Sequence, residues 1–506
     1  KAGNEILAAG GNAVDAVVAA ALAVGVVQPA GSGLGGGGFA VLVTPQGESH
    51  VLDFREVAPA AAHRDMYVEA SAADASRVGG LAVAVPGEGV GLATLHQQWG
   101  QLPLSRVAEP AIRLASDGFV VGRHLADALV GAGLAGPQLA RALFDEEEIP
   151  ERGTLVKRVR LASTISTFAK EGGQAFSSGP IANDIVASVQ NAGGMLSTAD
   201  LADYAPKTRE AVHGSYRGWS IVSMPPPSSG GVVLLQILGA LESSDLALLG
   251  ANSAALYHRL AEAMKHGFAD RARHMGDPDR VEVPVEKMLA RERIAAIRAD
   301  YNPDKTHPAE HYGTPIDIGR DAGTQHISVL DSNGLAVSLT TTINTSFGSR
   351  VVGATSGVLL NNEMDDFVAR PGVPNHYGLL GSEANAVAPG ARPLSSMSPT
   401  VLISPDGGER IVIGASGGPF IITSTLQAIV NIIDFGMDPS EAVSVPRMHH
   451  QWAPELLFVD THTSPDTIEL LKAKGHKVKQ MDFFSSVQVV HGRNGGFSGA
   501  ADPRKR

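Results

Sequence analysis

Asp321-Ala322-Gly323-Thr324-Gln325-His326-Ile327-Ser328-Val329 is the stretch on which the reading of this chain turns. A glycine precedes a threonine, and behind them apolar residues alternate (Ile327, Val329, then Leu335, Val337, Leu339) as on a buried strand. The Gly323–Thr324 peptide bond is therefore expected at the mouth of a strand. If this bond is cut, Thr324 becomes an N-terminal residue with a hydroxyl and a free amine on one skeleton, a nucleophile carrying its own base. An ordinary strand start has the same local pattern, so the decision lies in the rest of the chain.

The chain is 44% hydrophobic and 18% charged over 506 residues, the composition of a folded protein with a large core. No Pro- or Ser-rich linker divides it. A net charge of -12, with acids and bases interspersed, argues against nucleic acid as a partner and for small molecules. The absence of cysteine removes disulfides, thiolate metal sites and a cysteine nucleophile together. The longest apolar run, residues 13–27, is interrupted by Asp15 and is too short to span a bilayer, so no membrane span is expected. The chain opens at Lys1-Ala2-Gly3-Asn4 without a basic-then-apolar leader, so any signal peptide is expected to have been removed or trimmed.

From the N-terminus, Asn12 caps an Ala-rich helix over 12–27 that is expected to be buried on nearly all sides. A glycine loop and a hairpin (39–43 with 51–55) follow. Gly31, Gly33 and Gly36 spell G-x-G-x-x-G, but the order here is helix, loop, strand, whereas a dinucleotide site needs strand, loop, helix. Close backbone packing is the expectation instead. Residues 102–204 read as mostly helical scaffold. A strand over 216–224 runs into Met224-Pro-Pro-Pro-Ser-Ser-Gly-Gly231, a rigid turn, and helices follow over 232–241 and 253–275. In the second of these, His258, His266 and His274 fall eight apart and drift round the helix, so no metal face is expected from them. Strands 326–330 and 335–342 flank an Asp331-Ser-Asn-Gly334 turn, and another strand is expected over 356–360. Residues 370–393 show no periodicity and read as a lid. Strands 400–403 and 410–414 and a helix over 421–435 complete the pattern.

Gly414-Ala415-Ser416-Gly417-Gly418 is a literal G-x-S-x-G between a strand and a helix, and Asp434 and His449 follow in the order an α/β-hydrolase triad requires. Against this serine elbow, the region upstream reads as antiparallel hairpins rather than alternating strand and helix. The same glycines have another use: the N–H groups of Gly417 and Gly418 can form an oxyanion hole.

Taken together, the motifs resemble those of the γ-glutamyltransferase (γ-glutamyltranspeptidase) family of N-terminal-nucleophile hydrolases. The resemblance covers nearly the whole chain. It rests on Ala9-Gly-Gly-Asn-Ala-Val-Asp15, Ser32-Gly-Leu-Gly-Gly-Gly-Gly-Phe39, Leu52-Asp-Phe-Arg-Glu56, Phe268-Ala-Asp-Arg-Ala-Arg273, Leu360-Asn-Asn-Glu-Met-Asp-Asp-Phe367, Arg392-Pro-Leu-Ser-Ser-Met-Ser-Pro399 and the proline turn and Gly323-Thr324 already quoted. It implies an α+β fold, a four-layer αββα sandwich with two stacked antiparallel sheets. It implies autocleavage at Gly323–Thr324 into a large subunit, 1–323, and a small one, 324–506, which form a heterodimer and together one domain. Thr324 is then the nucleophile, Thr342 the threonine that holds it, and Gly417 and Gly418 the oxyanion hole. Arg55 with Ser395 and Ser396 would bind the substrate α-carboxylate, Asn344, Glu363 and Asp366 its α-ammonium, and Tyr377 would close the lid. The implied substrates are glutathione and related γ-glutamyl amides, with water, amino acids or peptides as acceptors, no cofactor and no metal, in the periplasm or secreted.

Two departures stand out: Gln325 beside the nucleophile, and Arg158-Val159-Arg160 in place of a Gln-Pro-containing segment. Two alternatives remain open. A cephalosporin (glutaryl) acylase would use the same scaffold, and Glu363 and Asp366 speak against it because a glutaryl group would leave those buried acids unpaired. An uncleaved binding or structural relative is the other, and the presence of Thr324 and its partners counts against it.

Overall fold

Two faces of one strand explain the layering. In the computed structural model, which describes residues 1–313, 323–368, 382–482, 485–493 and 495–505, Phe39, Val41 and Val43 point into one hydrophobic core and Ala40 and Leu42 into another. Side chains alternate along a strand, so a strand apolar at every position must be covered on both sides.

Eleven strands form the two main sheets: β1 (Gly37–Val43), β2 (Ser49–Phe54), β3 (Lys207–Arg209), β4 (Val212–Tyr216), β5 (Trp219–Ser223), β6 (Gln325–Leu330), β7 (Ala336–Thr342), β8 (Thr400–Ile403), β9 (Arg410–Ser416), β10 (Ser486–Arg493) and β11 (Gly496–Ala501). One sheet has the order β3-β2-β1-β7-β6 and the other β11-β10-β9-β8-β5-β4. Every pairing in both is antiparallel. The sheets stack face to face, β9 against β6 and β7. The outer face of the first sheet carries α1 (Ala13–Val27) and α2 (Glu88–Trp99), with α3 (Leu104–Asp117) and α4 (Val159–Glu171) outside them. On the second sheet lie α5 (Gly230–Leu241), backed by α6 (Ala254–His274), and α7 (Phe420–Ile433). This is the expected four-layer α+β sandwich.

Local sequence accounts for the ends of these elements. The Asn12 side chain accepts from the N–H groups of Val14 and Asp15, closing a capping box on α1. Asp15 interrupts the apolar run yet is fully buried, because its carboxylate also takes the N–H groups of Gln101 and Leu102. The β6–β7 turn is tied to the same helix: Asp331 accepts from Asn333 and Leu335 with one oxygen and from the Ala13 N–H with the other.

Two expectations are corrected. Residues 356–360 form no strand: Gly357 sits at φ +66°, which breaks the extended path, and only isolated bridges link Leu359 to Val352 and Leu360 to Gly35. The strand expected over 216–224 is the second half of a hairpin, β4–β5, whose turn residues Arg217 and Gly218 both have positive φ, as a two-residue hairpin loop requires. Of the expected lid, residues 370–381 and with them Tyr377 lie outside the described residues. The part from Ser382 onward is anchored, with Asn385 accepting the Leu394 N–H on its side chain and the Val368 N–H on its carbonyl.

Candidate active site

Thr324 precedes β6 with a backbone φ of +95°, a region that a β-branched residue occupies only at a cost of roughly 1–3 kcal/mol. Its surroundings hold it there. The Thr324 N–H donates to the Gly31 carbonyl at 2.8 Å. Residue 323 has to be glycine, since a Cβ there would lie 2.2 Å from the Asn344 carbonyl oxygen. The same crowding explains the glycine loop: a Cβ on Gly36 would lie 1.9 Å from the Thr342 carbonyl oxygen, so the loop packs backbone on backbone.

Thr342, the last residue of β7, pairs with Gly37 across the sheet, and its Oγ lies 3.0 Å from the Thr324 Oγ. The Asn344 N–H donates to the Thr342 hydroxyl at 2.8 Å. That leaves the proton of the Thr342 hydroxyl available to Thr324. Asn344 is fixed in turn by its side-chain amide, which donates to the Asn362 carbonyl at 3.0 Å.

A cavity opens on this hydroxyl pair. Arg55, Asn344, Glu363, Asp366, Ser395, Ser396 and Gly418 all line it, so residues far apart in the chain converge on Thr324. The proline turn buttresses one wall: Ser229 donates its hydroxyl to the Ser395 carbonyl at 2.7 Å, and Ser228 donates to the Met397 carbonyl at 2.6 Å. Arg271 also lines the cavity, from α6, with its Nε donating to the Ser229 hydroxyl at 2.9 Å. It stood inside the quoted 268–273 motif without a role, and only the fold brings that helix to the pocket.

Arg55 is expected to face a substrate carboxylate and Glu363 and Asp366 a substrate ammonium. In the structure Arg55, which is 1% exposed, binds Glu363 with one guanidinium nitrogen and Asp366 with the other, the latter at 2.6 Å. Burial works against the Arg55 charge, but Glu363, Asp366 and Glu56 more than offset it and hold the guanidinium protonated. Burial likewise raises Glu363 well above the usual carboxylate range and raises Asp366, with Arg55 pulling both back. Arg271 is lowered to about 10 by burial.

Gly418 lines the cavity, and its neighbour Gly417 packs one face against Ser485, where a Cβ would lie 2.8 Å from that residue. The serine elbow is not assembled. The Ser416 hydroxyl accepts from the Lys505 ammonium at 2.9 Å. His449 faces Thr423 and Gln451, and Asp434 receives Tyr216 and Arg217. No hydrogen bond links these three among the described residues.

Comparison with known proteins finds relatives over the whole chain. The family model described as Gamma-glutamyltranspeptidase matches residues 1–506. The glutathione hydrolase proenzyme of Escherichia coli (strain K12) is 42% identical over 514 residues, covering 99% of this chain and 88% of that protein. Among solved structures, the cephalosporin acylase of Bacillus halodurans superposes with a TM-score of 0.88 at 27% identity, over 99% of this chain and 92% of that one. The γ-glutamyltranspeptidase of Helicobacter pylori gives 0.58 at 37% identity, over 61% of this chain and 90% of that one. With a family model matched from end to end, the chain belongs to the gamma-glutamyltranspeptidase family of enzymes.

Proposed function

We propose that this chain cuts itself between Gly323 and Thr324 and then hydrolyses or transfers the γ-glutamyl group of glutathione and related amides through an ester on Thr324. In the first step the Thr324 Oγ attacks the Gly323 carbonyl, the peptide C–N bond breaks, and the acyl group passes from nitrogen to oxygen. Water hydrolyses that ester, giving a carboxylate on Gly323 and a free amine on Thr324. The amine, with an intrinsic pKa of about 7.7–8.0, is partly neutral near pH 7 and can take the hydroxyl proton. In turnover the same oxygen attacks the γ-carbonyl, the N–H groups of Gly417–Gly418 stabilise the oxyanion, and the amine passes its proton to the leaving nitrogen. Water or an amino-acid or peptide acceptor then releases the γ-glutamyl group.

The observation that carries this reading is the contiguity, in one cavity, of the Thr324–Thr342 hydroxyl pair with a buried cluster of both charge signs. A γ-glutamyl head is a zwitterion. Its carboxylate can take donors from Arg55, Arg271, Ser395 and Ser396 while its ammonium goes to Asn344, Glu363 and Asp366, and every charge stays paired.

The acylase reading keeps one observation in its favour, the 0.88 superposition. A glutaryl group brings an anion alone, so it would draw Arg55 off Glu363 and Asp366 without returning a cation. The γ-glutamyl reading carries with it a large and a small subunit in one heterodimer, at work in the periplasm or secreted. No helix among the described residues is long and apolar enough to cross a membrane.

N-terminal analysis of the purified protein should find a second chain starting at Thr324, and γ-glutamyl anilide should be hydrolysed far faster than glutaryl anilide. Thr324→Ala should abolish both self-cleavage and turnover, and Ser416→Ala neither. A single full-length band without anilide hydrolysis, or preference for the glutaryl compound, overturns the reading.

A further inference from the structure

A cluster of imidazoles around one carboxylate lies outside this cavity and takes no part in the chemistry above. We propose that Asp300, His307 and His311 form a binding site for a divalent transition-metal ion of the zinc class, with His266 holding the Asp300 carboxylate in place. One ligand atom from each of Asp300, His307 and His311 lies within 4.8 Å of the others. The His311 Nε2 is 2.7 Å from Asp300 Oδ2, and the His266 Nε2 reaches the same oxygen at 3.0 Å from α6. On a tetrahedral ion with Zn–N and Zn–O bonds of about 2.1 Å, neighbouring ligand atoms stand about 3.4 Å apart. Shifts well under 1 Å would therefore open the His311–Asp300 pair around an ion.

The rings are already oriented. Tyr312 meets His266 and His311 edge to face, with centroids 4.8 and 4.9 Å away, and its hydroxyl is anchored on Glu262 at 2.9 Å. His307 stacks on His311 at 4.3 Å and turns its Nε2 toward the Asp300 carbonyl. Such outer contacts fix ligand orientation in metal sites, and a hydrogen-bonded carboxylate is part of that pattern. Asp300 and His311 are 28% and 37% exposed on their side chains, so an ion can enter and a water can complete the coordination. Two imidazoles and a carboxylate suit zinc better than the oxygen-seeking magnesium or calcium. A second cluster, His258, Glu262 and His476, is the weaker candidate: the Lys265 ammonium is bound to Glu262 at 2.7 Å, and a cation there would meet a cation.

The spacing of His258, His266 and His274 along one helix gave no sign of this site. It arises because the segment carrying Asp300, His307 and His311 folds back onto the face of α6 that presents His266. An ion here would tie that segment, which leads toward Gly323, to the helix.

Metal-free full-length protein titrated with ZnCl₂ should take up one equivalent with a Kd on the order of micromolar, and Co²⁺ should give the visible bands of a tetrahedral N/O site. His311→Ala and Asp300→Asn should each weaken binding at least tenfold, the loss that follows even from removing an outer partner of a ligand, without shifting the metal-free unfolding midpoint by more than a few degrees. If His311→Ala fails to fold, the isosteric Asp300→Asn decides. No saturable uptake by the wild type, or unchanged uptake by the folded variant, overturns the proposal.

Discussion

At the scale of single residues, direction in one hydrogen bond carries most of the site. The Thr342 hydroxyl accepts from the Asn344 N–H and stands 3.0 Å from the Thr324 Oγ. It can thus donate its own proton to a lone pair of Thr324 and aim that nucleophile. Thr342→Val keeps the shape and the β-branched strand former but removes the donor. It should slow both self-cleavage and turnover on the order of 10²-fold, the scale of a lost positioning contact, with little change in stability. A gel time course and single-turnover kinetics check this, and a variant that matures and turns over at the wild-type rate would remove the role. The residue types of this site were legible in the sequence, since a threonine after a glycine, an arginine and an acidic run each have a defined chemistry. Their partnerships were not. Arg55 and Glu363 are 308 positions apart, and no local pattern says that they neutralise each other. Arg271 was hidden for the same reason, as one basic residue among several on a helix whose pocket-facing side only packing defines.

At the scale of elements, periodicity and caps were reliable where a strand or helix is set by its own sequence. The α1 cap at Asn12 and the alternation of β6 and β7 are of this kind. They failed where a turn had to be recognised: Arg217-Gly218 closes the β4–β5 hairpin without the Asn-Gly or Asp-Gly signature, and Gly357 breaks a run that looked like a strand. The departure at Arg158 also gains a structural account. Its buried guanidinium donates to the carbonyls of Gly25 and Val26 at the C-terminal end of α1 and to Gly357, at 2.7, 3.3 and 3.2 Å. A cation there satisfies carbonyls that have no partner in the helix and complements its dipole. Arg158→Met retains much of the volume but leaves those carbonyls unpaired, so it should destabilise the protein by roughly 2–3 kcal/mol. Urea titration reads this directly, and a loss within about 0.5 kcal/mol, the range of an ordinary surface change, would show that the contacts contribute little.

At the scale of the whole molecule, two sets of buried titratable groups oppose each other. Burial raises Glu56, Glu363 and Asp366, and raises Glu88 well above the carboxylate range, with Glu56 adding repulsion. Burial lowers His326, His449 and His476 to about 3, and His450 well below its usual value. Between about pH 4.5 and 6.5 the unfolded chain has gained protons on those histidines that the native state refuses, which makes stability fall as pH falls. In the same window the native state keeps protons on the acids that the unfolded chain has released, which makes stability fall as pH rises. The two slopes oppose each other, so the wild-type profile should be shallow there while single variants tilt it in opposite directions. Glu88→Gln removes a proton that the native state must otherwise hold. Relative to wild type it should gain stability as pH rises above about 4.5, by up to about 1.4 kcal/mol per pH unit until the native Glu88 itself ionises. His449→Gln loses the stacking on Phe420 at every pH, yet relative to wild type it should recover stability as pH falls below about 6.5, with the same limiting slope. Urea titrations of the three proteins at pH 5, 6, 7 and 8 separate these effects, because packing losses shift a curve and proton linkage tilts it. Curves for Glu88→Gln that run parallel to wild type would mean that Glu88 ionises normally in the folded protein, and parallel curves for His449→Gln would mean the same for that imidazole.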